Sequence, residues 1–282
     1  MSLKLMYITN RPDIALIAEK NGVERIFVDM EFIGKSLRQR GIDSVQNHHT
    51  IEDVRAVRAV LHRAELLVRV NPIHDASPSV CSSEDEIDAV IEAGADIVML
   101  PYFKTAEEVR RFLSAVNGRA KTMLLLETKE AMEHFDEIMQ LPGIDEVHIG
   151  LNDLSISLGK TYLFEPLADG TVEMLCTRLR GYGIPYGFGG VASLGRGMVP
   201  AEMIIKEHYL LGSHGAILSR SFCNVDKISE IGAIEEVFFR GIREIRMLEQ
   251  ECKYHIKYFM DNERDLKEAI RQVTERIKEQ ET

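Results

Sequence analysis

Eight short apolar runs, each followed by a stretch of helical periodicity, limit this chain more than any other feature. The runs are "KLMYIT" (4–9), "RIFVDM" (25–30), "LLVRV" (66–70), "DIVMLP" (96–101), "TMLLLE" (122–127), "EVHIGL" (146–151), "PYGFGG" (185–190) and "GAILS" (215–219). Between them lie amphipathic patterns at 51–62, 84–94, 105–116, 129–139, 172–183 and 201–212. The runs are near-continuously apolar rather than alternating, so both faces of the sheet should be covered, as in parallel sheets. Several helical stretches end at glycine, Gly94 and Gly183 among them, where the left-handed conformation closes a helix most readily. Eight strand–helix units in about 230 residues fit a (β/α)8 TIM barrel better than an open α/β sheet. No GxGxxG follows the first strand, which weakens a dinucleotide-binding alternative.

The barrel is expected to occupy residues 1–228 and a helical extension residues 229–282. From Ile231 to Ile277 apolar residues recur at spacings of three and four, around a polar interruption "MDNERD" (260–265). One helix would close the barrel, and the remainder is too long for that task. An amphipathic helix without a core of its own needs a partner. The partner expected is a neighbouring subunit, so a homo-oligomer, with packing back onto the same barrel as the alternative.

Composition narrows the function classes. A formal net charge of −11 argues against nucleic-acid binding, which needs clustered Lys and Arg. The cysteines at 81, 176, 223 and 252 are widely spaced with no CxxC pair, as expected of reduced thiols in a cytoplasmic protein rather than a disulfide frame or zinc site. No apolar stretch approaches the roughly 20 residues that span a bilayer, and no signal-peptide pattern opens the chain.

In a TIM barrel, chemistry sits at the C-terminal ends of the strands. Asp29 and Glu31 lie there after strand 2, Arg69 and Asn71 at strand 3, Glu127 at strand 5, Asn152 and Asp153 after strand 6, and Ser219 and Arg220 at strand 8. Glu127 and Asp153 come from adjacent strands, and two converging carboxylates repel unless a cation lies between them. Oxygen donors without His or Cys nearby in sequence favour Mg²⁺ or Mn²⁺ over zinc. Arg69 would offer a fixed positive fork to an oxyanion or enolate oxygen. Each residue has a plainer reading. Glu127 could start a helix, Asp153 could cap one, and Arg69 could form a structural ion pair with Asp29 or Glu31.

The segments "RIFVDME", "LLVRVNP", "AGADIVMLPYFKTAEEV" and "LLLETKEAMEHFDEIMQLPGIDEVHIGLNDLSISLG" resemble the HpcH/HpaI aldolase and citrate lyase β-subunit family over roughly residues 4–223. The resemblance implies a TIM barrel that makes or breaks carbon–carbon bonds through a metal-bound enolate of pyruvate or an acyl-CoA. It also implies that Glu127 and Asp153 are the metal ligands and that Arg69 is the electrophilic residue at the substrate oxygen. A hexamer, or trimer of dimers, is implied in the same way.

One position departs from the family pattern. The family's pyruvate aldolases carry a histidine of the acid–base machinery directly after the "D-x-E" of strand 2, whereas "DME" (29–31) is followed here by Phe32. The stretch that comes next contains Lys35, Arg38 and Arg40, suited to an anionic substrate, and ends in His48 and His49. Either histidine could return to the barrel mouth as a proton shuttle. They could equally be exposed neighbours of Thr50, which reads as the N-cap of helix 51–62 with Asp53 at its third position. His148, inside a strand, reads as structural; His74 and Asp75 are candidate substrate contacts.

The expectation is therefore a Mg²⁺- or Mn²⁺-dependent aldolase acting on a small 2-oxo acid. Glu127 and Asp153 would hold the metal, and Arg69, Asn71, Asn152 and Asp153 the substrate. Arg69, His49 and His48 would carry the catalysis. No strand end carries a lysine, so a Schiff-base route is not assigned. The competing readings are a citrate-lyase-like acyl-CoA lyase and a catalytically silent barrel that serves as an assembly or regulatory subunit.

Overall fold

The computed structural model describes residues 2–35, 49–228, 230–253 and 257–280. Eight parallel strands close into one barrel in sequence order: β1 (Lys4–Ile8), β2 (Arg25–Asp29), β3 (Glu65–Arg69), β4 (Ile97–Leu100), β5 (Lys121–Leu126), β6 (Glu146–Ile149), β7 (Tyr186–Val191) and β8 (Gly215–Leu218). β8 pairs back onto β1 with Met6 opposite Ile217. The TIM barrel read from the sequence is the observed fold.

Strand alternation sorts the side chains into two apolar layers. Inside the barrel lie Met6, Phe27, Leu67, Ile97, Met99, Met123 and Leu125. The intervening residues, such as Ile26, Val28, Leu66, Val68, Leu124 and Leu126, point outward and are buried under the helices. That two-sided burial is why the runs lack polar alternation.

Below the inner apolar layer sits a layer of charge. Arg25, only 1% exposed, donates from Nε to Glu65 at 2.8 Å and from both Nη atoms to Glu146 at 2.7 and 2.5 Å. Lys121 joins Glu65 at 2.6 Å, and Lys4 approaches Glu146 at 3.8 Å. Bidentate geometry of this kind offsets the cost of burying a guanidinium.

Some helix boundaries follow the sequence closely. Thr50 and Asp53 form the expected capping box at the start of helix Ile51–Arg58. The 129–139 pattern divides at His134 into helices Lys129–Glu133 and Phe135–Met139. A short helix, Leu151–Ser157, follows β6 directly, and Glu165–Ala168 adds one turn after it.

The C-terminal extension packs on its own chain, the alternative that the sequence offered for its apolar stripe. Helix Ile231–Cys252 closes the barrel. Its buried Glu249 accepts from the Leu3 amide at 2.7 Å and from the Tyr209 hydroxyl at 2.9 Å, while Tyr7 meets Phe238 edge-on at 4.8 Å. Helix Lys257–Gln280 then returns to its own barrel, against helix Ala201–Leu210 and the turn at 165–168. Leu266, Ile270 and Val273 are buried there, and Asn262 donates to the Met203 carbonyl at 3.1 Å. This part of the stripe is buried within the same chain.

Candidate active site

A cavity of about 520 Å³ opens at the C-terminal mouth of the barrel. Among its walls are Asp29, Lys35, His49, Arg69, Glu127, His148, Asn152, Asp153, Ser219 and Arg220. Most of the polar residues read from the strand ends therefore meet in one place.

Glu127 and Asp153 are both almost fully buried, at 2% and 6% exposure. Neither fills its plainer role. The N-cap of helix Lys129–Glu133 is Thr128, whose hydroxyl accepts from the Ala131 amide at 3.1 Å. The N-cap of helix Leu151–Ser157 is Gly150, and Asp153 lies inside the first turn. Glu127 Oε1 accepts from the Tyr102 amide at 3.0 Å, in a loop where Tyr102 holds a positive φ of 50°. Gly150 is required by the same carboxylate, because a Cβ there would come within 2.5 Å of Glu127 Oε2.

Two buried carboxylates on one wall of the cavity, with only oxygen donors, fit a hard divalent cation such as Mg²⁺ or Mn²⁺ that keeps several waters. Among the described residues no group of three or more His, Cys, Asp or Glu side chains is placed to hold a metal.

Arg69 stands directly across the sheet from Asp29, as their backbone register dictates. Its Nε and Nη2 donate to the two oxygens of Asp29, both at 2.7 Å, and Nη1 lies 3.3 Å from Glu31. Burial alone would lower the guanidinium pKa, but Asp29 and Glu31 outweigh it and hold Arg69 above its ordinary value. The structural ion pair and the cavity-facing group are thus one and the same residue.

His49 does return to the site. Its Nδ1 accepts from the Asp29 amide at 3.0 Å, which places the ring proton on Nε2. Burial, opposed by Asp29 and Asp53, lowers its pKa. The neutral ring is a hydrogen-bond donor at Nε2, and taking up a proton at Nδ1 would break the bond to Asp29. His48, Arg38 and Arg40 lie outside the described residues.

Other readings are redistributed. Asn71 is 2% exposed and does not line the cavity. Its Oδ1 accepts from the amides of Phe32 and Ile33 at 2.9 Å and its Nδ2 donates to Glu86 at 2.8 Å, so it pins the loop after β2 rather than facing a ligand. His74 bridges the Pro72 and Cys81 carbonyls at 2.8 and 2.9 Å, and Asp75 pairs with Arg111, both away from the cavity. His148, read as structural, is buried and also forms part of the cavity wall. It contacts the Gly189 carbonyl at 3.2 Å, and burial pushes its pKa down to about 4. Phe32, at the departure from the family pattern, is half exposed.

Lys35, in sequence one of several loop charges, takes a specific place in the structure. It is 4% exposed and part of the cavity wall, with Nζ 2.9 Å from Asp29 Oδ2 and 3.5 Å from Glu31 Oε2. Its four-residue spacing from Glu31 was the one available signal, and it lay outside any periodic segment.

A profile of the HpcH/HpaI aldolase/citrate lyase family matches residues 4–165. The chain belongs to this family. A 2-keto-3-deoxy-L-rhamnonate aldolase of Escherichia coli K12 is 28% identical over 183 residues, covering 54% of this chain and 66% of that protein. The same enzyme of E. coli O157:H7 is 27% identical over the same span. The match thus spans just under two thirds of these relatives' length. Two solved structures share the fold: an HpcH/HpaI aldolase from Desulfitobacterium hafniense (TM-score 0.57, 17% identity, 87% of this chain and 93% of that one) and a family protein from Burkholderia cenocepacia (0.57, 15%, 84% and 95%). No described helix is long and apolar enough to cross a membrane.

Proposed function

We propose that this barrel is a divalent-metal-dependent carbon–carbon lyase that cleaves or forms a small 2-oxo acid through a pyruvate-like enolate. The observation that carries the reading is the meeting of Glu127, Asp153 and Arg69 in one cavity at the C-terminal mouth. Glu127 and Asp153 would hold Mg²⁺ or Mn²⁺, which supplies Lewis-acid polarisation of the 2-oxo group when bound.

The chain's own groups do the rest. Arg69, fixed by two bonds to Asp29, presents its remaining N–H groups to the oxygen on which charge develops during cleavage. A donor that need not reorganise is worth most there. Helix Leu151–Ser157 carries no side-chain cap, and the amides at Asn152 and Asp153 would receive the substrate carboxylate. His49 would donate from Nε2, leaving water to take the proton of the cleaved hydroxyl. The relatives' name, 2-keto-3-deoxy-L-rhamnonate aldolase, suits a substrate of this kind.

Exchange of pyruvate methyl protons in D₂O, followed by NMR with Mg²⁺ or Mn²⁺, tests the proposal. Metal-dependent exchange that is lost in Glu127→Gln and Arg69→Ala is the expected result. Measurable metal binding without exchange would redirect the search to acyl-CoA substrates. Neither binding nor exchange would overturn the enzyme reading and leave an assembly or regulatory role.

A further inference from the structure

The loop after β2 delivers a buried ammonium to a pair of carboxylates that Arg69 already occupies. Asp29 Oδ2 accepts from Arg69 Nη2 at 2.7 Å and from Lys35 Nζ at 2.9 Å, so the two cations share one oxygen. Glu31 is approached by the same two groups, at 3.3 Å by Arg69 Nη1 and at 3.5 Å by Lys35 Nζ. Asp29, Glu31 and Lys35 are all at or below 4% exposure. Charges this deep interact through a medium far less screening than water.

This arrangement raises a difficulty for Arg69. A guanidinium that must attract an anionic substrate and a developing enolate is flanked by two carboxylates, each of which repels both. Lys35 returns one positive charge to the cluster without taking Arg69's place at the cavity. We infer that Lys35 is a positioning residue that tunes the field of the Arg69–Asp29–Glu31 cluster, so that the cavity accepts a dianionic enolate-like ligand. The inference rests on the proposed enolate chemistry and adds a residue to it. Lys35 acts through Asp29 and Glu31, and no covalent step is assigned to it.

A charge account differs from a simple anchoring role in what repairs it. If Lys35 only fastens the loop, neutralising Glu31 cannot compensate for its loss. If its charge matters, removing one negative charge from the same cluster should.

The experiment is calorimetric titration of oxalate, a planar dianion resembling the enolate of pyruvate, into the protein with saturating Mn²⁺. Wild type is compared with Lys35→Met, Glu31→Gln and the double variant, and each is checked for folding by circular dichroism. Lys35→Met is expected to weaken oxalate binding by roughly ten- to a hundredfold, the scale of one unit charge at close range in a partly screened site. The double variant should recover most of that loss, and Glu31→Gln alone should bind at least as tightly as wild type. Equal affinity of Lys35→Met and wild type overturns the inference. So does a double variant as weak as Lys35→Met, which would leave Lys35 as an anchor. Failure of the wild type itself to bind oxalate sinks the enolate reading and this inference with it, an outcome distinct from the other two.

Discussion

The two ends of the barrel both bury charge, and they do so differently. At the N-terminal end Arg25 is enclosed by Glu65 and Glu146, with Lys121 and Lys4 completing the pairs around them. At the C-terminal end Arg69 is held equally firmly by Asp29, yet it forms part of a cavity wall together with Glu127 and Asp153. The same strands supply both ends: Arg25, Phe27 and Asp29 alternate along β2, and Glu65, Leu67 and Arg69 along β3. Buried charge alone therefore says nothing about function. The open volume beside the charge separates a plug from a candidate site.

Substitutions should divide along that line. The largest effect is expected of Asp153→Asn at the open end, where pyruvate exchange should drop roughly a hundred- to thousandfold, on the scale of a lost electrostatic stabiliser. Its melting temperature should stay close to that of wild type. Arg25→Met should do the reverse. Removing the guanidinium that Glu65 and Glu146 enclose, with only Lys121 and Lys4 left to pair with them, should cost about 3 kcal/mol in denaturant unfolding, while exchange per folded molecule is unchanged. A large loss of exchange in Arg25→Met would break the comparison.

Glu207 offers a smaller, pH-dependent contrast, because it is a buried carboxylate at neither end. Burial raises its pKa to about 7. Glu263 of helix 257–280 and Glu173 of helix Thr171–Tyr182 add to the rise, while Lys267 and Asn262 oppose it; the Cys176 thiol also lies within its field. The folded state thus holds a proton that the unfolded chain releases near 4.5. Stability should fall as pH rises from the unfolded value through about 7 and then level off. Glu207→Gln should remove this dependence, gaining up to about 3 kcal/mol over wild type at pH 8 and almost nothing at pH 4. A wild-type stability that is flat between those pH values would count against the assignment.

The smallest expected effect is none. Lys35 is a lysine in the cavity, but its Nζ is engaged by Asp29 and Glu31, whereas a Schiff base needs a neutral amine. Borohydride reduction in the presence of pyruvate should leave the protein mass unaltered, and a stable adduct at Lys35 would replace the metal-based proposal with a covalent one.

The barrel was legible because eight apolar runs and their helices repeat a single local rule. Glu127, Asp153 and Arg69 were legible because that rule fixes where strands end. Asn71 shows the limit: it too follows a strand end, but its amide turns away to bind the loop at Phe32 and Glu86. Lys35 was not singled out because the burial of a lysine depends on distant carboxylates that sequence spacing does not pair. The stripe of 266–273 announced a buried face without saying whose surface would bury it.

Glu249 also bears on time. It accepts the amide of Leu3 across a separation of 246 residues, and β1 cannot complete its pairing until β8 exists. At ribosomal rates of about 5–20 residues per second, the first strand waits roughly 12 to 50 s for the partners that seal it. The β1–β8 seam cannot close before β8 has been made, and until then the five-residue β1 keeps one edge unpaired.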